Sequence, residues 1–327
     1  MVISTKFMNQ KSFYSSDLNI IMRNIIYIFL FNIFWGISVN AQNEIQRTYE
    51  RHWERGYEKI RIISYNVFNG FDWKKDKDRQ NRFVEWIRKQ DPEILALQEL
   101  CGFTQESLLV MAQQWGHPYA VILKEDGYPV GITSKKPINL KAKLLENCGH
   151  GLLHVETYGY DILVTHLNPG DTDKRRAEAG FIVQYIKEKA LDKCFLMGDM
   201  NAHSPFDADY MEANAIELLM KYGGKQSHNL LDGNFDYSVI SRLLSLPFID
   251  VCRRYVPEDK RTTFPTAILM YLSRHQEVRK RVGERLDFIL ATPLIAKEVT
   301  DAFIYNEEDT DYLSDHYPVG IDLMYKR

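Results

Sequence analysis

Cysteine is scarce in this chain and charge of one sign is not in excess. Cys101, Cys148, Cys194 and Cys252 are the only four cysteines in 327 residues; none stands in a C-x-x-C, and the one close Cys/His pair, Cys148 and His150, has no second pair to complete a four-ligand set. That argues against a structural zinc framework. Cys194, set in an apolar run, reads as a small buried hydrophobe. Lys and Arg number 41 against 44 Asp and Glu, a formal net charge of −3, so no global field draws the chain to nucleic acid, although a local basic face still can. The sequence also lacks G-x-S-x-G, a Gly-rich P-loop and H-E-x-x-H. Their absence disfavours a serine-hydrolase elbow, P-loop nucleotide chemistry and zinc-protease chemistry. No repeat period stands out, and the length and the 45% hydrophobic content suit one large core that needs no staple.

The N-terminus is the outlier. Met22-Arg23-Asn24 precedes the apolar run Ile25 to Val39, followed by Asn40-Ala41-Gln42. A basic start, a short apolar stretch and small residues at Val39 and Ala41 are the layout of a signal peptide. The expectation is an upstream segment plus signal peptide over 1–41, with the start at Met22 and cleavage after Ala41. A single catalytic domain over 42–327 then follows, exported to the periplasm or secreted. An uncleaved anchoring helix is the alternative; after cleavage no stable membrane span remains, and no protein partner is implied.

Beyond the leader, short runs rich in Ile, Val and Leu predict strands at Lys59–Tyr65, Glu93–Gln98, Tyr119–Leu123, Pro129–Thr133, Gly151–Glu156, Asp161–Thr165, Cys194–Met197, Leu286–Ala291 and Val319–Met324. Helical patterns lie at Gln80–Lys89, Gln105–Gln114, Lys174–Lys189 and Asp207–Lys221, and in the third Ala177, Phe181, Ile182, Tyr185 and Ile186 share a stripe. The stretch Ser204 to Gly283 is the least strand-like and reads as an elaboration on the substrate side. Within and just after it, Arg274, Arg279, Lys280, Arg281 and Arg285 fit a solvated helix face better than a phosphate-binding patch.

Polar residues recur where apolar strands end. Ile62-Ile63-Ser64-Tyr65 runs into Asn66, Ile94 to Gln98 into Glu99, Ile162 to Thr165 into His166, and Phe195 to Gly198 into Asp199-Met200-Asn201. Asp287 opens another strand, and Ser314-Asp315-His316 stands just before the last. Each alone has a plain reading as a turn or a hydrogen-bonded surface group. Together they place carboxylates, amides and imidazoles at the ends of strands, where a rigid sheet presents loops for binding and catalysis. That is an inventory for an oxygen-ligated Mg²⁺ and for proton handling.

Ser64-Tyr65-Asn66-Val67, Leu97-Gln98-Glu99, Thr165-His166-Leu167, Gly198-Asp199-Met200-Asn201, Arg285-Leu286-Asp287-Phe288-Ile289 and Ser314-Asp315-His316-Tyr317-Pro318-Val319 resemble, in order, the motifs of the endonuclease/exonuclease/phosphatase (deoxyribonuclease I-like) superfamily. The resemblance spans Arg61 to Leu323 and shows no departure within the motifs. It implies an α/β fold, a four-layer α/β sandwich of two packed mixed β-sheets flanked by helices. It also implies a metal-dependent phosphoric ester hydrolase using Mg²⁺, with Mn²⁺ as the alternative ion. By the same resemblance Asn66, Glu99 and Asp315 are metal residues, with Glu99 the principal carboxylate. Asp199 and Asn201 match the pair that handles the attacking water and a phosphate oxygen, Asp287 the carboxylate that orients His316, and His166 a donor to the phosphate.

The substrate stays open at this point. A phosphodiesterase or nuclease is one reading; a phosphomonoesterase or a lipid- or sugar-phosphate hydrolase is another, and an inactive binding module on the same scaffold a third. Asn147-Cys148-Gly149-His150-Gly151 and Thr262-Thr263-Phe264-Pro265 resemble regions that line the cleft in the superfamily, but they match no single branch.

Overall fold

Strands apolar on both faces must lie between two covering layers, and the central strands of this chain are of that kind. In β1 (Tyr57–Asn66), Ile62 packs into one core and Ile63 and Tyr65 into another. In β2 (Ile94–Gln98), Ile94 and Ala96 face the first core and Leu95 and Leu97 the second. A computed structural model describes residues 56–222, 229–272 and 282–327. The leader, Arg274, Arg279, Lys280 and Arg281 therefore lie outside the described residues, and Lys59–Tyr325 forms a compact unit.

The remaining strands are β3 (Tyr119–Ile122), β4 (Gly131–Ser134), β5 (Asn139–Leu144), β6 (Leu152–Thr157), β7 (Tyr160–His166), β8 (Cys194–Asp199), the hairpin β9 (Leu230–Leu231) and β10 (Asn234–Phe235), β11 (Ile249–Asp250), β12 (Asp287–Ala291), β13 (Val299–Ile304) and β14 (Val319–Lys326). They form two six-stranded sheets, ordered β13-β14-β1-β2-β4-β3 and β11-β12-β8-β7-β6-β5, beside the two-stranded hairpin. Both large sheets are mixed: β1 runs parallel to β2 and β7 parallel to β8, with antiparallel neighbours around them. Ile62, Ile94 and Ile321 of one sheet meet Val155, Val164, Phe195 and Ile289 of the other in a core they share. Each such side chain removed from water contributes about 1.5–3 kcal/mol.

Helices close the outer faces. Helix α1 (Lys77–Gln90) is capped by Asp76, whose side chain accepts from Arg79 N, and it buries Phe83, Val84 and Ile87 beneath the first sheet with α2 (Gln105–Gln113). Thr104 and Ser107 form a reciprocal capping box at the start of α2. Helix α3 (Thr172–Lys189), capped by Asp171, lays Ala179, Ile182 and Ile186 on the second sheet against Leu163, Leu196 and Leu290. The result is the expected four-layer α/β sandwich.

The structure corrects several local expectations. Ala177 is exposed, and the buried stripe of α3 includes Arg175 and Glu178 instead; both bond to loops near the sheet edge, which periodicity of apolar residues cannot reveal. The continuous helix expected over Asp207–Lys221 breaks at Asn214 into α4 (Ala208–Ala213) and α5 (Ala215–Tyr222). Arg285 belongs to no solvated face. Its Nε and Nη2 reach Asp207 Oδ2 and Asp250 Oδ2, each at 2.7 Å, in a buried network that also holds Arg261. Desolvating a guanidinium without such partners would cost several kcal/mol.

Candidate active site

Strand register alone gathers most of the polar set. Asn66 pairs across from Gln98 in the parallel β1/β2 ladder, so Glu99 leaves the sheet one residue beyond it. In the other sheet, His166 lies opposite Asp199, and Asp287 lies opposite Asp199 from the other side. The turn into Asp199 depends on Gly198, whose φ is +143° and where an added Cβ would stand 1.9 Å from the Thr165 carbonyl oxygen. Glu99 and Asn201 both hold left-handed backbone, at φ 59° and 46°, a conformation that costs a non-glycine residue about 1–3 kcal/mol and clusters at functional sites.

Asp199 is the hub. Asn66 Nδ2 donates to Asp199 Oδ2 and to Glu99 Oε1, both at 3.1 Å. The Asn201 backbone N–H donates to Asp199 Oδ1 at 2.9 Å, and the Asn201 amide donates to the Leu167 carbonyl at 3.0 Å. His166 Nε2 and His316 Nε2 stand 3.4 and 3.6 Å from Asp199 Oδ2. His166 Nδ1 is buried and, among the described residues, without a hydrogen-bond partner, a state that costs about 1–3 kcal/mol.

His316 Nδ1 donates to Asp287 Oδ2 at 2.8 Å, with both groups buried. Burial opposes the imidazolium charge, but the Asp287 and Asp199 carboxylates more than offset it and hold the His316 pKa well above the usual imidazole value. Thr263 Oγ1 accepts from Leu286 N at 2.9 Å and Asp287 N at 3.2 Å and so fixes the carboxylate that orients the ring. The loop carrying Asp315 and His316 is tied to β1 by Ser314 Oγ, which donates to the Asn66 carbonyl at 2.6 Å. Burial pushes the Asp315 carboxyl up to about 6, with the charges of Glu99 and Asp199 adding to the effect and His316 opposing it.

A left-handed turn forms one wall. Phe68 to Lys74 all have positive φ, between 50° and 67°, and each L-residue there costs about 1–2 kcal/mol. Three contacts hold it. Asn69 N donates to Glu99 Oε2 at 2.7 Å, Arg79 donates to the Val67 and Phe68 carbonyls at 3.0 and 2.9 Å, and at Gly70 a Cβ would meet the Cys101 carbonyl oxygen at 2.1 Å. Arg79 also reaches the Leu313 carbonyl at 3.1 Å, so one buried guanidinium links this turn to the loop of Asp315 and His316.

All eight residues named from the sequence thus share one constellation, and both segments expected to line the cleft border it. The His150 ring lies 4.7 Å from that of His166, and the Phe264 ring 4.9 Å from that of His316. Arg79 and Glu178 escaped the sequence reading, which named Ser314 and Thr263 only inside motifs and gave neither a role. The Glu178 carboxylate accepts from Gly149 N at 2.7 Å and from Asn168 N at 2.8 Å, fastening the loops next to His150 and His166. A charged residue on a helix face carries no signal for such a role.

The donor set suits a hard divalent cation. Glu99 Oε1 and Oε2 each accept one hydrogen bond and keep lone pairs free, and Asp315, its carboxyl raised by burial and further by the Glu99 and Asp199 charges, adds a second carboxylate. Asp199, Asp287 and His316 also bring ligand atoms within 4.8 Å of one another. The His316–Asp287 hydrogen bond and the elevated His316 pKa make that second grouping better suited to a proton than to a cation.

A family model described as Endonuclease/Exonuclease/phosphatase family matches residues 63–316. No curated protein sequence matches the chain. Among solved structures it is similar to an AP endonuclease from Archaeoglobus fulgidus, with 21% identity and a TM-score of 0.60 over 80% of this chain and 98% of that one. A 3' phosphatase from Neisseria bound to product DNA hairpin is 20% identical, with a TM-score of 0.61 over 81% of this chain and 99% of the other. A 3'-5' exonuclease from Neisseria meningitidis is 19% identical, with a TM-score of 0.60 over 81% and 99%. At these identities the likeness is one of fold.

Proposed function

Given that this chain belongs to the endonuclease/exonuclease/phosphatase family, we propose that it is an exported, Mg²⁺-dependent phosphodiesterase or nuclease that hydrolyses its ester by in-line attack of water. The observation that carries the reading is the convergence on Asp199 of Asn66, His166 and His316 from separate segments, with Glu99 and Asp315 alongside. Glu99, Asn66 and Asp315 would hold the divalent cation, whose charge would counter that on the attacked phosphate.

The chain's own residues supply the rest. Asp199, fixed by the Asn66 amide and the Asn201 N–H, is placed to orient the attacking water and take its proton. The Asn201 amide spends one hydrogen on the Leu167 carbonyl and keeps the other for a phosphate oxygen. His166, whose Nε2 faces Asp199, can donate to a phosphate oxygen while charge builds on it. Held protonated by Asp287, His316 presents a positive donor to the same centre.

A phosphodiester of nucleic acid as substrate is supported by the likeness to an AP endonuclease, a 3' phosphatase bound to product DNA and a 3'-5' exonuclease. The net charge of −3 favours the second reading, a small monoester or a lipid- or sugar-phosphate, because polymer binding rests on phosphate neutralisation. A panel of phosphodiesters and monoesters assayed with Mg²⁺, Mn²⁺ and EDTA tests the proposal. Turnover that requires metal is expected, and full activity in EDTA overturns it. A steep loss of rate with salt on a polymer supports the diester reading; salt-insensitive turnover of a small ester supports the second.

A further inference from the structure

A row of planar rings leads outward from the phosphate-handling residues. The rings of His166 and His150 are 4.7 Å apart, those of His150 and Tyr128 5.5 Å, and those of Tyr128 and Trp73 6.4 Å. Each step falls within the 4.5–7 Å at which aromatic rings attract one another. The inner end is buried, with His166 at 3% exposure, while Tyr128 and Trp73 are 37% and 46% exposed. The three outer rings come from three places in the chain: the left-handed turn, the loop before β4 and the loop before β6.

That convergence is held at a cost. Trp73 takes φ +54°, and two large aromatic rings left partly in water forgo part of the stabilisation that full burial gives. Neither His150 nor Tyr128 figures in the proton and charge chemistry above.

We propose that Trp73, Tyr128 and His150 form a stacking subsite for the unpaired base of a nucleotide whose phosphate is held at His166 and Asp199. The subsite rests on the phosphoesterase reading and names its substrate class. Every member of the row is planar, so it offers ring faces and edges to a flat ligand. Bases within a duplex are already stacked on both sides, so the row takes a base from a single strand, a strand end or a free nucleotide. Stacking of one base on a protein ring is worth about 1–3 kcal/mol, which corresponds to a factor of about 5 to 150 in affinity.

The test is binding of the purified protein, in EDTA to prevent turnover, to a labelled single-stranded oligodeoxynucleotide and to an abasic deoxyribose-phosphate strand of the same length and charge. The wild-type protein is expected to bind the base-bearing strand at least about 5-fold more tightly. Trp73→Leu and Tyr128→Leu, which keep apolar bulk but remove the ring, are expected to erase most of that preference, and Tyr128→Phe to retain it. Equal wild-type affinities overturn the proposal, and this comparison needs no variant to fold. A preference that survives both leucine substitutions also overturns it. Should those substitutions instead abolish binding to phosphatidylcholine vesicles and leave the base preference intact, the rings belong to a membrane contact and the proposal is wrong. Failure of the phosphoesterase reading shows separately, as absent turnover with metal in a protein that still prefers the base-bearing strand.

Discussion

Replacing Asp315 by Asn is expected to stabilise the metal-free protein at alkaline pH. Burial and the neighbouring charges of Glu99 and Asp199 raise this carboxyl from 3.8 to about 6, against the opposing effect of His316. The folded protein therefore binds the proton more tightly than the unfolded chain does. The associated stability is fully present below 3.8 and is lost as the pH rises through about 6. At about 1.4 kcal/mol per pH unit, the loss amounts to about 3 kcal/mol. Asn resembles the protonated acid and never ionises, so the variant escapes this loss. For a domain of this size 1 kcal/mol moves the Tm by about 2–4 °C, so at pH 8 in EDTA the variant should melt about 6–12 °C higher. The gap should close as the pH falls toward 4. Adding Mg²⁺ should narrow it as well, since the cation stabilises the wild-type carboxylate and has less to bind in the variant. Thermal unfolding at pH 8 and near pH 4, with EDTA or Mg²⁺, reads all of this. A variant less stable than wild type at pH 8, or a gap indifferent to pH, would refute the idea that buried anions at this site are held there for a cation.

Three further outcomes are expected. Gly198→Ala must force a Cβ to within 1.9 Å of the Thr165 carbonyl oxygen, so it should cost several kcal/mol or prevent folding, and a variant with an unchanged Tm would show that the turn into Asp199 does not need glycine. Glu178→Gln can no longer accept from both Gly149 N and Asn168 N; stability should fall by about 1–3 kcal/mol, with kcat falling more than KM rises. An unaltered kcat would mean that the clamp supports the fold alone. Protein recovered from its native host should begin at or near Gln42, and an intact Met1 or Met22 in a soluble cytoplasmic pool would contradict export.

The parts of the fold that burial dictates were legible in the sequence. Strands such as Ile94–Gln98 and Cys194–Asp199 are buried throughout, and their apolar runs mark them. Asn139–Leu144 was not legible, because it is an edge strand with no buried residue and two lysines, and Val299–Ile304 hides behind Asp301 and a register shift. The left-handed turn of Phe68 to Lys74 carries a single glycine; it is imposed by Arg79, Glu99 and the Cys101 backbone, contacts that local sequence does not encode. The site residues were legible as polar groups at strand ends, while the roles proposed for them come from resemblance to a family. Their mutual geometry follows from register and from long-range ties such as Ser314 to Asn66, which no spacing along the chain predicts. Arg285 shows the converse, since its place in a basic run suggested solvent and its partners Asp207 and Asp250 lie far away in sequence.

The division of labour within the constellation is tested most directly by titrating Mg²⁺ against hydrolysis rate for the wild type, Glu99→Ala and Asp199→Asn. Glu99→Ala removes one of the few anionic ligands available to a loosely held cation, so it should lose rate and require more Mg²⁺ for half-maximal activity. Asp199→Asn keeps shape and hydrogen bonding but loses basicity. Its Mg²⁺ curve should stay near that of the wild type while turnover falls by about 10²–10⁴. If Asp199→Asn shifts the Mg²⁺ curve as far as Glu99→Ala does, or keeps most of the wild-type turnover, Asp199 is a metal ligand and the assignment of water and cation to separate carboxylates is wrong.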